Sequence, residues 1–151
     1  MRIRTYSIPL LKCLEPGNYV GTELSDKRAA LAREWVEREG LEDKKPLFVV
    51  STDNTMPYLE DASIDVVWTL SVFTHMPEKE LRQVLATFQR VVRLRGVVYF
   101  HYNSPLPGTP AAKPTVKDFY WKNDVIAKII HAHGFSIERM EDWEDNLDPK
   151  I

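Results

Sequence analysis

With 151 residues, a formal charge of −2 and a single cysteine, the chain has the size of one domain or most of one. The near-neutral balance leaves no electrostatic footprint for nucleic acid, Cys13 alone excludes an intrachain disulfide framework, and no run approaches the ~18 consecutive apolar residues of a membrane span. Arg2, Arg4 and Lys12 bracket only short apolar pieces, which do not read as a signal-peptide core, so a soluble cytoplasmic protein is expected.

Ile3, Leu10, Leu11 and Leu14 recur at helical spacing, and residues 2–14 are expected to form a short amphipathic helix despite Pro9. Glu15, Pro16, Gly17 and Asn18 form a turn, and residues 19–24 a short strand. Ser25 or Asp26 then caps a long helix that stops at Gly40, with Ala29, Ala30, Ala32 and Trp35 as its packing face. Residues 47–50 make a second strand, which ends at Ser51, Thr52, Asp53 and Asn54. A polar loop containing Pro57 covers residues 55–63.

The apolar run Ile64, Val66, Val67, Trp68 and Leu70 reads as a buried parallel strand over residues 64–71, leading into Thr69, Ser71, Thr74 and His75. A helix over residues 78–92 turns Leu81, Val84, Leu85, Phe88, Val91 and Val92 inward, and residues 96–100 form a fourth strand. Four prolines, at 105, 107, 110 and 114, keep residues 103–114 irregular. A helix over residues 115–133 stops at Gly134, and residues 135–140 alternate as a half-exposed strand. Glu138, Glu141, Asp142, Glu144, Asp145 and Asp148 read as a solvated acidic tail. Strands alternating with helices of this length predict an α/β domain with an open, mostly parallel, Rossmann-like sheet flanked by helices.

Ligands of such sheets collect beyond the carboxyl ends of the strands, so the strand ends hold the candidates. Glu23 closes the first strand, where a carboxylate can accept from both vicinal hydroxyls of a ribose, or simply interact with the start of the following helix. Asp53 and Asn54 follow the second strand, where they suit the exocyclic amine of adenine or an ordinary Asx turn. His75 stands between a strand and a helix start, as a ligand-facing group, a general base or a loop fastener. His101, Tyr102 and Asn103 leave the fourth strand on the same edge and would line a substrate pocket or merely end the strand. His131 and His133 lie on different faces of one helix, and no metal site is expected from them. Neither a nucleophile elbow nor a phosphate-cradling glycine loop is visible.

Taken together, the order and spacing of these pieces resemble the class I S-adenosylmethionine-dependent methyltransferases of the small-molecule type, from about Ile8 to Trp143. IPLLKCLEPGNYVGTELS is similar to the helix, turn and second strand of that family, and STDNTMPYLEDASIDVVWTLSVFTHM to its adenine loop and fourth strand. RVVRLRGVVYF is similar to its helix end and fifth strand, and HGFSIERMEDW to a late helix-to-strand step. The resemblance implies S-adenosyl-L-methionine as cofactor, with Glu23 on the ribose, Asp53 and Asn54 on adenine, and the Thr69–Leu70 backbone on the amino-acid end. Phe73 and His75 would stand beside the reaction centre, with His75 or His101 as base if the acceptor must lose a proton. An unidentified small-molecule acceptor would lie against His75, His101, Tyr102, Asn103 and the proline-rich loop.

Two departures matter. The family's first strand and its glycine-rich turn would precede the initial helix, and Leu94-Arg95-Gly96 stands where the family usually has a proline and two glycines. The chain also stops about where a final strand would begin, so a family member lacking both ends is expected. The competing reading is a non-catalytic remnant that serves as a binding or assembly module, as a homodimer through uncovered sheet edges. A nicotinamide-dependent oxidoreductase would need a glycine-rich turn that is not visible.

Overall fold

The computed structural model of the chain describes residues 7–105 and 118–140. It divides into two compact units, Met1–Asp53 and Asn54–Ile151.

In the first unit, helix α1 (Ser7–Cys13) precedes strand β1 (Val20–Glu23), helix α2 (Asp26–Arg38) and strand β2 (Leu47–Val50). Pro9 falls in the first turn of α1, where a helix has no use for the missing N–H. Residues 2–6 of the expected helix lie outside the described residues. Ser25 caps α2 by accepting from the Arg28 N–H, and Gly40 follows its end at φ +64°, a conformation glycine adopts freely. The strands β1 and β2 pair in parallel, from Val20 opposite Leu47 to Glu23 opposite Val50. Ile8, Leu11, Val36 and Leu41 form the core of this unit, with Tyr19, Trp35 and Phe48 packed against it. One expectation needs correction here. The buried face of α2 is Ala29, Ala32 and Val36, spaced by whole helical turns, and Ala30 is exposed because it lies a residue further round.

The second unit runs through strand β3 (Ile64–Thr69), a 3-10 turn (Phe73–His75), helix α3 (Glu78–Val91), strand β4 (Val92–Phe100) and helix α4 (Asn123–Ala132). The strands β3 and β4 are again parallel, with Val66 opposite Val97 and Thr69 opposite Phe100. Leu81, Val84, Leu85, Phe88 and Val91 of α3 meet Ile126, Ile129 and Ile130 of α4 in the core, which Phe73 and Trp121 complete. Thr87 is buried alongside them. Every ladder among the described residues is parallel, and helices alternate with strands, so the α/β, Rossmann-like class holds. No helix among them is long and apolar enough to cross a membrane.

Five expectations for this unit differ from the structure. β3 ends at Thr69 rather than at residue 71, because Ser71 turns into the left-handed region at φ +54°. It is not covered on both faces either, since Val66 is 56% and Trp68 50% exposed. β4 begins at Val92, directly out of α3, with a register irregularity before Val97 and Arg95 at φ +68°. α4 starts at Asn123 rather than 115, because the backbone ahead of it is used elsewhere: Phe119 N–H donates to Thr74 O at 2.7 Å and Trp121 N–H to Asn103 O at 2.8 Å. Residues 135–140 find no ladder partner among the described residues, although Phe135 and Ile137 still pack inward against the core. Most of the proline-rich stretch, from 106 on, and the acidic tail from 141 on lie outside the described residues.

Candidate functional site

In the first unit, β1 ends on Glu23 and β2 one step before Ser51. The Ser51 N–H donates to Glu23 O at 2.9 Å, and the Asp53 N–H donates to Ser51 Oγ at 3.0 Å. Parallel pairing therefore delivers Glu23 and Asp53 to the same carboxyl edge. Glu23 is half-buried, and none of the described hydrogen bonds or ion pairs uses its carboxylate.

In the second unit, Asn54 opens a loop whose backbone is fastened to α3. Thr87 Oγ1 donates to Asn54 O at 2.7 Å. The Arg90 guanidinium donates to Thr55 O at 2.9 Å, Met56 O at 3.0 Å and Leu59 O at 2.8 Å, and pairs with Asp61 Oδ1 at 2.7 Å.

Thr69, Leu70 and His101 share the carboxyl edge of β3 and β4, where the His101 N–H donates to Thr69 O at 3.2 Å. The Thr69 hydroxyl is buried and has no hydrogen-bond partner among the described residues, an arrangement that ordinarily costs about 1–3 kcal/mol unless something else fills it. Phe73, expected beside the reaction centre, turns its ring into the core of the second unit. It is 0% exposed, 4.8 Å from the ring of Phe100 and 6.3 Å from that of Phe88, because apolar burial draws a phenyl ring at this turn into the core. Its neighbour His75 stays outside, with Nδ1 3.3 Å from Asp118 Oδ1.

Asp118 is held there by the segment around it. The Phe119 N–H reaches Thr74 O on one side, and Tyr120 bridges Asn103 on the other. Next to this, Asn123 Oδ1 accepts from the Tyr102 hydroxyl at 2.9 Å and the Ser104 hydroxyl at 3.0 Å. His75, Tyr102 and Asn103 are thus each tied into one stitched segment that includes Asp118, Ser104 and Asn123. None of those last three carried a readable signal, because a helix over residues 115–133 would have placed Asp118 and Asn123 in its interior. Thr87 and Arg90 were likewise hidden, the latter as one of several helix-surface cations. No group of three or more metal-binding side chains occurs among the described residues.

Comparisons with known proteins give this geometry its context. A family model described as a methyltransferase domain matches residues 6–100. Methyltransferase GfsG from Streptomyces halstedii is 34% identical over 76 residues, which are 50% of this chain and 26% of that protein. The chain thus spans about a quarter of the length of this curated relative. Magnesium protoporphyrin IX methyltransferase (ChlM) from Synechocystis PCC 6803, solved with bound SAH, matches with a TM-score of 0.68 at 20% identity, over 88% of this chain and 60% of that one. The [4+2]-cyclase SpnF matches with a TM-score of 0.67 at 22% identity, over 82% of this chain and 44% of that one. Structural likeness at such identities is a likeness of fold, and here it reaches proteins named for different reactions. Family membership rests instead on the sequence match through β1, β2, β3 and β4, by which the chain belongs to the methyltransferase-domain family.

Proposed function

We propose that this chain is an S-adenosylmethionine-dependent methyltransferase domain acting in the cytoplasm on a small-molecule acceptor. The observation that carries this is the shared carboxyl edge of β1 and β2, which presents Glu23 and Asp53 from adjacent strand ends within a chain of the methyltransferase-domain family. The residues fit the cofactor. In the first unit Glu23 offers a carboxylate that no described contact uses to the ribose hydroxyls, and Asp53 suits the adenine amine; in the second, Asn54 suits the ring nitrogens, and Thr69 and Leu70 offer backbone groups and a buried hydroxyl to the amino-acid end.

When bound, S-adenosylmethionine supplies a methyl group on a positively charged sulfur, activated for displacement. The protein's part is orientation and the exclusion of water, and alignment of this kind can lower a barrier by ~7–11 kcal/mol. His75, or His101, would take the proton of an acceptor that must lose one, and Asp118 would orient the imidazole of His75. Tyr102, Asn103 and the amide of Asn123 would receive the acceptor. Isothermal titration with S-adenosylhomocysteine tests the proposal. Saturable heat near one ligand per chain is expected, and its absence at millimolar ligand would remove the cofactor reading.

One observation favours a second role. Val66, Trp68 and Tyr99 leave one face of the β3–β4 pair apolar and exposed, with the Trp68 and Tyr99 rings 5.4 Å apart. Parallel strands are ordinarily covered on both faces, and a second copy of the chain laid there would cover this one. Light scattering showing a monomer at tens of micromolar protein would discard that role.

A further inference from the structure

We infer that Thr87 and Arg90 of α3 are positioning residues for the adenine end of the cofactor site, acting through the loop that Asn54 opens. The inference deepens the cofactor proposal and rests on its assignment of Asn54 to adenine. Thr87 Oγ1 donates to the carbonyl of Asn54 itself, at 2.7 Å. Arg90 then holds the loop at four further acceptors: Thr55 O, Met56 O, Leu59 O and Asp61 Oδ1, all within 2.7–3.0 Å. Its planar fork suits this task, since one guanidinium carries five donors in fixed directions.

The backbone explains why so many contacts converge on one residue. Met56 at φ +46° and Ala62 at φ +50° both occupy the left-handed region, which side chains with a Cβ disfavour. Both are tied to Arg90. Met56 O accepts from its guanidinium, and the Ala62 N–H donates to its carbonyl at 2.9 Å. A loop containing two such residues keeps its shape only if its surroundings over-determine it. Those surroundings are rigid, because Leu81, Val84, Leu85, Phe88 and Val91 root α3 in the core. The clamp thus sets the loop before any ligand arrives, and pre-ordering of this kind raises affinity by removing the cost of ordering on binding.

Calorimetry on the wild-type chain and on Thr87→Val, Arg90→Lys and Arg90→Gln tests this, with S-adenosylhomocysteine and its inosine analogue, which lacks the 6-amino group. The wild type should prefer the adenine ligand. Each variant should bind S-adenosylhomocysteine about tenfold more weakly, as expected for a lost hydrogen bond that orders the site, and lose much of the preference over the inosine analogue. A residue that merely supported the fold would lower affinity for both ligands alike and leave the preference intact. Thr87→Val changes the buried side chain least, so it stands even if the Arg90 variants fail to fold. Wild-type affinity and preference in Thr87→Val overturn the inference alone, whereas a wild-type chain that takes up no S-adenosylhomocysteine overturns the cofactor proposal beneath it.

Discussion

Glu23 and Ser51 join the ends of β1 and β2 through one backbone hydrogen bond of 2.9 Å, and that bond brings the two strands to a stop in step. Asp53 follows two residues later, its N–H received by the Ser51 hydroxyl. Two carboxylates therefore leave adjacent parallel strands at one edge, the place where open α/β sheets receive ligands.

Glu23→Gln preserves the size of the side chain and removes its charge. Hydrogen bonds to a charged group contribute about 1.5–3 kcal/mol, so S-adenosylhomocysteine should bind about ten- to a hundredfold more weakly. Thermal stability should hardly move, because no described contact uses that carboxylate. An unchanged dissociation constant in calorimetry would remove Glu23 from the ribose.

Phe73 is predicted to act through stability. Its ring is fully buried between Phe88 and Phe100, and Phe-to-Ala truncations at such sites cost about 3–5 kcal/mol. Phe73→Ala should shift the urea midpoint by a large part of the total stability, with Phe73→Leu intermediate. A rim residue that touched only ligand would shift it by less than about 0.5 kcal/mol.

Strand and helix identities were legible wherever one periodicity dominated. The six inward positions from Leu81 to Val92 are all buried, and Leu47–Val50 forms a strand with the expected bounds. Legibility failed where backbone hydrogen bonds went to partners distant in sequence. Asp118 to Trp121 has a helix-compatible composition, yet Thr74 and Asn103 claim its N–H groups and hold it extended. No local pattern announces such a partner. The same holds for the site. Glu23 and Asp53 are readable as candidates because they sit at strand ends, whereas Thr87 and Arg90 reach the loop at Asn54 and Thr55 from about thirty residues away in the chain.

Gly96 and Arg95 make opposite predictions inside one irregular turn of β4. A Cβ on Gly96 would lie 2.5 Å from Val92 Cγ1 and 2.9 Å from Asp65 O, and the second of these is backbone locked in the β3–β4 region. Gly96→Ala should therefore destabilise by about 1–3 kcal/mol. Arg95 is an exposed residue at φ +68°, and glycine relieves that conformation, so Arg95→Gly should stabilise by about 0.5–1 kcal/mol. Urea midpoints of the two variants moving in the same direction would contradict this account of the turn.

The His75–Asp118 pair separates chemistry from folding. Its side chains are 57% and 41% exposed, and ion pairs in such settings contribute about 0–1 kcal/mol. Asp118→Asn and His75→Gln should thus leave the urea midpoint nearly unchanged, because the neighbouring Phe119-to-Thr74 backbone bond already fixes the segment. Cofactor affinity should also persist, since neither residue is assigned to the nucleoside. A fall in stability beyond about 1 kcal/mol would show that the pair fastens the loop. With stability and cofactor affinity both intact, a loss of methyl transfer in these variants would belong to the acceptor, to its proton where kcat falls and to its binding where KM rises.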